Sequence, residues 1–193
     1  AENISPRDLY ETYLPAFEAL VKEGEVKEVM CAYNRLEGDP CCGSDQLLVN
    51  ILRNEWGYDG IVVSDCGAID DFHRKNAHET HPDAASASAK AVLSGTDLEC
   101  GGSYRALVEG VEKGLIKEED IDVSIKRLLK ARFELGEMDD LSEVSWSKIP
   151  YSVVASAKHS ELALDMTRKT MTLLQNKNNI LPLAKKGQKI VVM

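Results

Sequence analysis

Three short apolar segments with the composition of strands recur along the chain, and a segment with helical periodicity separates each from the next. The strand-like segments are Glu28–Tyr33, Ile61–Asp65 and Thr96–Cys100. A helix capped by Ser44 lies between the first two, and an alanine-rich helix, Asp83–Leu93, precedes the third. Strands that alternate with helices over about 30 residues form parallel sheets, because parallel strands need a crossover connection. The sequence therefore predicts an α/β fold.

Further helices are predicted on both sides of this region. Ser5 followed by Pro6 is typical of a helix start, and Pro15 is expected to break that helix in two. Helical periodicity also predicts helices at 103–114 and 118–135. The expected apolar faces comprise Phe17, Leu20 and Val21 after the break, and Ile121, Ile125, Leu128, Leu129 and Leu135 in the last helix.

The C-terminal part of the chain differs in pattern and in charge. Residues 137–152 are polar and without periodicity, which is typical of a linker. Residues 151–193 carry seven Lys or Arg against two Asp or Glu, whereas the whole chain has a net charge of −9. A shift of this size indicates a domain boundary.

Beyond the linker the sequence predicts a helix at about 153–169, an extended run at Met171–Leu174, a turn at Asn176–Asn179 and a terminal strand at Ile190–Met193. The chain starts with Ala1 and ends inside that strand, and a lone strand is unstable. We therefore expect both ends to be cuts in a longer protein.

The composition argues against several classes of function. An acidic chain repels phosphate backbones, so nucleic acid is a poor candidate partner. No apolar run approaches the roughly 20 residues of a membrane helix. The five cysteines are odd in number and irregularly spaced, which argues against a disulfide scaffold, and the absence of a Cys-x-x-Cys pair argues against structural zinc.

Polar residues lie at the carboxyl ends of all three predicted strands, the edge where parallel α/β folds carry their active sites. They are Tyr33-Asn34 at the first strand, Ser64-Asp65-Cys66 at the second and Asp97 to Cys100 at the third. Asp65 is the strongest candidate, because a carboxylate directly after a buried strand is well placed for a pocket. The competing interpretation is that Asp65 caps the following turn.

Two of these segments resemble motifs of the family 3 glycoside hydrolases. Residues 52–67 (Leu-Arg-Asn-Glu-Trp-Gly-Tyr-Asp-Gly-Ile-Val-Val-Ser-Asp-Cys-Gly) resemble the nucleophile signature of that family, and 30–35 (Met-Cys-Ala-Tyr-Asn-Arg) resemble its Ser-Tyr-Asn segment. The resemblance continues at Gly95–Leu98. It reappears at Leu174–Leu183, which is similar to the entry of the second, α/β sandwich domain of the family.

The resemblance implies a fold and a set of roles. Residues 1–136 would be the C-terminal part of a (β/α)8 catalytic barrel of the TIM type, 137–152 a linker, and 153–193 the start of the sandwich domain. Asp65 would be the nucleophile of a retaining exo-β-glycosidase, and Tyr33 would contact the sugar. Cys66 would line the substrate site. No cofactor or metal is implied.

The same resemblance implies that the site is incomplete in this chain. The acid/base Glu of the family lies in the second domain, which corresponds to positions beyond Met193. A Lys-His pair, an Arg and another Asp of the sugar pocket correspond to positions before Ala1. We therefore expect the chain to need the missing barrel and sandwich segments of its parent, and to be inactive alone.

Cys66 bears on the sugar. Many β-glucosidases of the family carry Trp after the nucleophile, whereas Ser-Asp-Cys, together with Cys100-Gly101, is more similar to the β-xylosidase branch. Xylose or glucose, at the end of an oligosaccharide, is the expected substrate sugar. Relatives that degrade polysaccharides are commonly exported, so a periplasmic or extracellular parent is expected.

Three other functions compete with this one. The first is the β-N-acetylhexosaminidase branch of the family, which uses a loop His as acid/base. The second is a non-catalytic carbohydrate-binding or interaction domain on the same fold. The third is a small phosphate-binding protein, which would need a nest of backbone amides near Gly101.

The remaining polar residues admit a functional and a structural interpretation. His78 and His81 are three apart in a polar loop, which favours a solvated loop over a metal site. Cys66 and Cys100 end neighbouring strands, so a disulfide competes with two free thiols. Loop thiols are expected at Cys41 and Cys42, solvated or locally bonded acids at Glu37, Asp39 and Glu99, and core packing at Trp56.

Overall fold

The computed structural model describes residues 3–185 together with 187, 189 and 191. The chain divides into two compact units, Ala1–Asp140 and Leu141–Met193. Within the part of the chain that the structure describes, no helix has both the length and the apolar character that crossing a bilayer requires.

The first unit opens with the predicted broken helix. The side chain of Ser5 accepts a hydrogen bond from the Asp8 backbone N–H at 3.1 Å and so caps α1 (Pro6–Asp8). A π-type turn at Leu9–Tyr13 follows, and α2 (Pro15–Lys22) begins at the proline. Pro15 lacks a backbone N–H and therefore stands where a new helix can start. The predicted break is confirmed.

The described residues form four short strands, of which two lie where the sequence predicts strands and two form a hairpin in the predicted loop. They are β1 (Glu28–Met30), β2 (Arg35–Leu36), β3 (Asp39–Pro40) and β4 (Ile61–Val63). β1 and β4 pair in parallel, with Val29 opposite Val62, whereas β2 and β3 form an antiparallel hairpin in the predicted loop. The α/β class with parallel pairing is thus confirmed.

The third predicted strand is shorter than expected. Thr96–Cys100 forms a single parallel bridge, between Leu98 and Val63 of β4. The Asp97 and Leu98 backbone N–H groups both donate to the Val62 carbonyl, which leaves the segment extended beside β4 without a regular ladder. Its position next to β4 is nevertheless the one that the sequence predicts.

Helices connect these segments. Ser44 accepts from the Leu47 N–H at 3.3 Å and caps the π-type helix Asp45–Glu55, and Asp83 caps α3 (Ala84–Leu93). Next come α4 (Leu107–Glu112) and α5 (Glu118–Glu134). Short 3-10 turns lie at Cys41–Gly43, Asp70–Phe72 and Ser103–Ala106.

The core of the first unit lies between β4, the π-type helix and α3. Val62 and Ile69 are fully buried, Phe72 is 1% exposed, and Trp56 at the helix end is buried as predicted. Other members are Leu48, Ile51, Leu52, Ala87 and Ala91. This packing fixes β4 from several sides, so the residue that follows the strand has a defined position.

The predicted apolar faces of two helices are only partly buried. Val21 of α2 and Ile121 of α5 pack against buried clusters. Phe17 and Leu20 of α2 remain 53% and 54% exposed, and Ile125 and Leu129 of α5 remain 43% and 40% exposed. Exposed apolar faces of this extent are typical of surfaces that another segment or chain covers.

A buried carboxylate links β4 to two helices. Asp97, 4% exposed, accepts hydrogen bonds from the Val62 N–H at 2.9 Å, from Arg53 of the π-type helix at 2.7 Å, and from Arg127 of α5 at 2.8 Å. Arg53 also donates to the carbonyl of Gly95 at 2.9 Å. Burial lowers the pKa of Arg53, and the charge of Asp97 opposes that shift.

The second unit contains one regular helix, α6 (Ala157–Thr170), among its described residues, with Ser156 as its cap. Turns of 3-10 type lie at Ser145–Lys148, Tyr151–Val153 and Lys177–Asn179. The predicted extended run Met171–Leu174 has no strand pairing. The predicted strand Ile190–Met193 lies largely outside the described residues, and the predicted domain bounds stay a prediction.

We predict that Asp97→Ala lowers the free energy of unfolding by roughly 3–5 kcal/mol, because it leaves two partly buried arginines, Arg53 and Arg127, without their counter-charge. Urea denaturation checks this. The matched control is Asp59→Ala, since Asp59 pairs with Lys130 at 2.7 Å but is 81% exposed. That substitution should cost less than about 1 kcal/mol. Equal losses in the two variants would contradict a special role for Asp97.

Candidate active site

Asp65 stands two residues beyond β4, at the carboxyl end of the strand. The preceding residue, Ser64, is buried and is tied to the neighbouring segment twice: its N–H donates to Leu98 O at 2.8 Å, and its Oγ accepts from the Cys100 N–H at 3.0 Å. Asp65 itself is half-buried, and its Oδ1 accepts from the Cys66 N–H at 2.7 Å. The carboxylate is therefore presented at the strand end with one backbone donor.

Tyr33 lies beside this carboxylate. Its hydroxyl donates to the Cys66 carbonyl at 2.5 Å. Partial burial, and then the neighbouring Asp65, raise the pKa of Tyr33, because both disfavour the phenolate. Two residues that the sequence places at the ends of different strands thus meet in the structure, as the parallel pairing of β1 and β4 requires.

Cys66 and Cys100 form a disulfide, with their Cα atoms 4.4 Å apart. Of the two alternatives that the sequence leaves open, the structure has the bridge and not two free thiols. Gly67 reinforces the junction by donating its N–H to the Cys100 carbonyl at 2.7 Å. The ends of β4 and of the next segment are therefore crosslinked directly beside Asp65.

A second disulfide joins Cys31 to Cys42, so the expectation of a loop thiol at Cys42 is wrong. The count is odd because Cys41 remains a free, buried thiol, and burial raises its pKa. Which cysteines pair depends on which segments of the chain meet in space, and spacing along the sequence does not reveal that.

The histidine loop is more ordered than the solvated loop that the sequence predicts. His78 Nε2 lies 2.7 Å from the Tyr33 carbonyl oxygen, and His81 Nδ1 lies 3.0 Å from Thr80 Oγ1. Burial lowers the pKa of His81. Sequence reasoning missed the contact of His78 with Tyr33, for which the chain offers only the general expectation that loops after strands cover the strand ends.

The described residues contain no group of three or more side chains arranged to hold a metal ion.

Of the three predicted loop acids, Glu99 is the most constrained. Its two carboxylate oxygens accept the Ser103 and Tyr104 backbone N–H groups at 2.8 and 2.7 Å, which confirms local bonding. The backbone amides that a phosphate-binding protein would offer beyond Gly101 are thus occupied by the chain itself. Glu37 accepts the Ile4 N–H at 3.0 Å, and Asp39 lies in the exposed hairpin.

Known proteins of one family resemble the chain over most of its length. Residues 1–131 match the model of the glycosyl hydrolase family 3 N-terminal domain. The chain belongs to glycoside hydrolase family 3. It is 55% identical, over 99% of its length, to a xylan 1,4-β-xylosidase of Xylanibacter ruminicola, and 33% identical over 98% to β-D-xylosidase 1 of Arabidopsis thaliana. The chain spans 22% and 24% of those relatives, about a quarter of their length.

Solved structures of the family superpose well on the chain. An exo-β-xylosidase (XlnD) in complex with a xylobiose aziridine activity-based probe has a TM-score of 0.83 at 31% identity, over 94% of this chain and 24% of that one. A β-glucosidase of Listeria innocua in complex with isofagomine has a TM-score of 0.82 at 29% identity, over 95% and 25%. The predicted family is therefore confirmed. The relatives named here include β-xylosidases and a β-glucosidase.

We predict that alkylation of the native, unreduced protein labels none of the five cysteines, since four are bridged and Cys41 is 7% exposed. After unfolding without reductant, the label should appear on Cys41 alone. Peptide mapping by mass spectrometry, with the bridges intact, checks both statements. A label on Cys66 or Cys100 before reduction would contradict the pairing beside Asp65.

Proposed function

We propose that the parent of this chain is a retaining exo-β-glycosidase that releases terminal β-linked xylose, or glucose, from oligosaccharides. In this proposal 1–136 form the last part of a (β/α)8 barrel and 153–193 begin the sandwich domain. The observation that carries it is Asp65, a carboxylate at the end of a buried strand and beside Tyr33, in a chain of family 3. The substrate is an oligosaccharide, and neither nucleic acid nor a membrane is a partner.

The proposed reaction is a double displacement. The Asp65 carboxylate attacks C1 of the terminal sugar, and the bond from C1 to the leaving oxygen breaks as a second carboxyl group protonates that oxygen. Water, deprotonated by the same second group, then attacks C1 and releases Asp65. A retaining pair of carboxyl groups stands about 5–5.5 Å apart.

Asp65 has to stay ionised in order to attack. Support comes from the Cys66 backbone N–H, which donates to Oδ1 and stabilises the charged form. Tyr33 beside the carboxylate is neutral at neutral pH, and partial burial together with the charge of Asp65 raises its pKa further. A neutral phenol next to the nucleophile adds no competing negative charge and can contact the sugar near C1.

The second carboxyl group is expected from outside residues 1–193. Glu99 is one alternative among the predicted strand-end acids, but both its oxygens accept backbone amides. Protonating Glu99 would weaken at least one of those bonds, so it is poorly suited to give and take a proton. This agrees with the expectation that the chain alone has no glycosidase activity.

Xylose is the favoured sugar. Cys66, which is bridged to Cys100, takes the position where many β-glucosidases of the family carry a Trp ring. Cys66 is exposed and directly follows Asp65. The two curated relatives named above are β-xylosidases, whereas the Listeria innocua structure keeps glucose as the second candidate. A periplasmic or extracellular parent is part of the proposal.

We predict that a 2-deoxy-2-fluoro xyloside inactivates the full-length protein by forming a covalent adduct on Asp65, and does so faster than the gluco analogue. Peptide mapping of the inactivated protein locates the adduct. Asp65→Ala should lower kcat by on the order of 10,000-fold, because it removes the nucleophile of both steps. Azide should partly restore turnover of an activated xyloside and give the inverted glycosyl azide.

Asp59→Asn is the matched control, because Asp59 is an exposed carboxylate on the loop before the same strand and should leave kcat unchanged. Turnover with an adduct on another residue would overturn the assignment of Asp65. If neither turnover nor an adduct occurs while xylo-oligosaccharides still bind, a non-catalytic carbohydrate-binding protein would replace the enzyme. Release of N-acetylhexosamine in preference to both sugars would point to the hexosaminidase branch.

A further inference from the structure

We propose that His78 is a positioning residue that holds Tyr33 against Asp65, by donating a hydrogen bond from its ring to the Tyr33 backbone carbonyl. This inference rests on the proposed glycosidase function. The two atoms, His78 Nε2 and Tyr33 O, are 2.7 Å apart although the residues are 45 positions apart in sequence. The contact therefore joins the loop after β4 to the segment after β1.

The direction of this hydrogen bond follows from its acceptor. A carbonyl oxygen only accepts, so the Nε2 atom of His78 has to carry the hydrogen. Both the neutral Nε2–H tautomer and the imidazolium can donate in this way. The contact therefore does not require that His78 be charged, and it does not require that His78 exchange a proton with the substrate.

The loop that carries His78 is anchored to the core. The backbone N–H of His78 donates to Asp71 O at 2.8 Å, and the Thr80 and His81 N–H groups donate to Phe72 O at 2.8 and 3.0 Å. Phe72 is 1% exposed and belongs to the main apolar cluster. His78 is thus bonded to Asp71, and the residues after it are bonded to Phe72, which cannot move without disturbing the core.

Tyr33, by contrast, needs such an anchor. Its side chain is in an exposed position, with 45% of the residue accessible, and β1 already ends at Met30. Two contacts hold it on the side of Asp65: the hydroxyl bond to the Cys66 carbonyl and the carbonyl bond from His78. Hydrogen bonds from Cys31 N–H to Val63 O and from Cys41 N–H to Asn34 O fix the backbone on either side of Tyr33. Without His78, the Tyr33 carbonyl itself would be left to water, and the hydroxyl bond to Cys66 would remain as the contact of Tyr33 on the side of Asp65.

The test compares single variants of the full-length protein with 4-nitrophenyl β-xyloside as the substrate. His78→Ala should lower kcat/KM by about tenfold, because small displacements of groups beside a nucleophile are costly. His78→Gln keeps an amide N–H near the position of Nε2 and should recover most of that loss. Lys75→Ala, an exposed change in the same loop, should match the wild type.

A double-mutant cycle distinguishes positioning from a general loss of structure. If His78 acts through Tyr33, then His78→Ala should change kcat/KM by less than about twofold in a Tyr33→Phe background. The same tenfold loss in both backgrounds would overturn the inference. A limb that disappears from the pH profile of kcat/KM in His78→Gln would also overturn it, because His78 would then exchange a proton in the reaction.

Failure of this inference is separable from failure of the proposed function. An enzyme that turns over xylosides and is labelled on Asp65, but whose His78→Ala variant equals the wild type, would refute only the role of His78. If the wild type shows no turnover and no label, the proposed function fails. In that case a 15N-resolved spectrum of the histidine ring still tests the contact, since a ring without hydrogen on Nε2 would refute it.

Discussion

The buried carboxylate of Asp97 is the interaction on which the position of β4 depends. A buried charge is very costly unless it is paired and hydrogen-bonded. Here two arginines and the Val62 N–H surround it, and each belongs to a different element. Removing one partner would leave charge uncompensated, so the π-type helix, α5 and the start of β4 are held in one arrangement. Asp65 lies three residues after Val62, so its position depends on the same arrangement.

Arg53 and Asp97 both lie in segments that resemble motifs of the family. Their pairing gives these two residues a structural role, which needs no contact with a sugar. Arg53 lies in the long motif that precedes the nucleophile, and Asp97 lies at a strand end, where the sequence suggests chemistry. The Asp97 side chain is withdrawn from that edge, because its oxygens bind the Val62 N–H and the two guanidinium groups. A carboxylate at a strand end is thus a candidate for catalysis only when its own hydrogen bonds leave it accessible, as for Asp65.

The sequence predicts local structure well and spatial contacts less well, for physical reasons. Caps such as Ser5 and Ser44 involve groups three residues apart, so the sequence reveals them. Periodicity finds α2 and α5 but cannot tell which side chains of their apolar faces meet a partner: Val21 and Ile121 do, whereas Phe17 and Leu129 stay largely exposed. The family follows from the motifs at 30–35 and 52–67, whereas the parallel strands and the neighbourhood of Asp65 follow from the order of elements. The disulfide of Cys31 with Cys42 depends on how a loop folds back on β1, and no spacing rule contains that information.

Around Asp65, most side-chain hydrogen bonds end on backbone atoms. Tyr33 donates to a carbonyl, Ser64 accepts a backbone N–H, and Glu99 accepts two. Polar side chains used in this way build a rigid frame and have little capacity left for proton transfer. Asp65 has a single backbone donor on Oδ1 and is the carboxylate that such a frame presents. A double displacement needs a second carboxyl group that can change its protonation state, and the frame around Asp65 leaves that role to residues from another part of the parent protein.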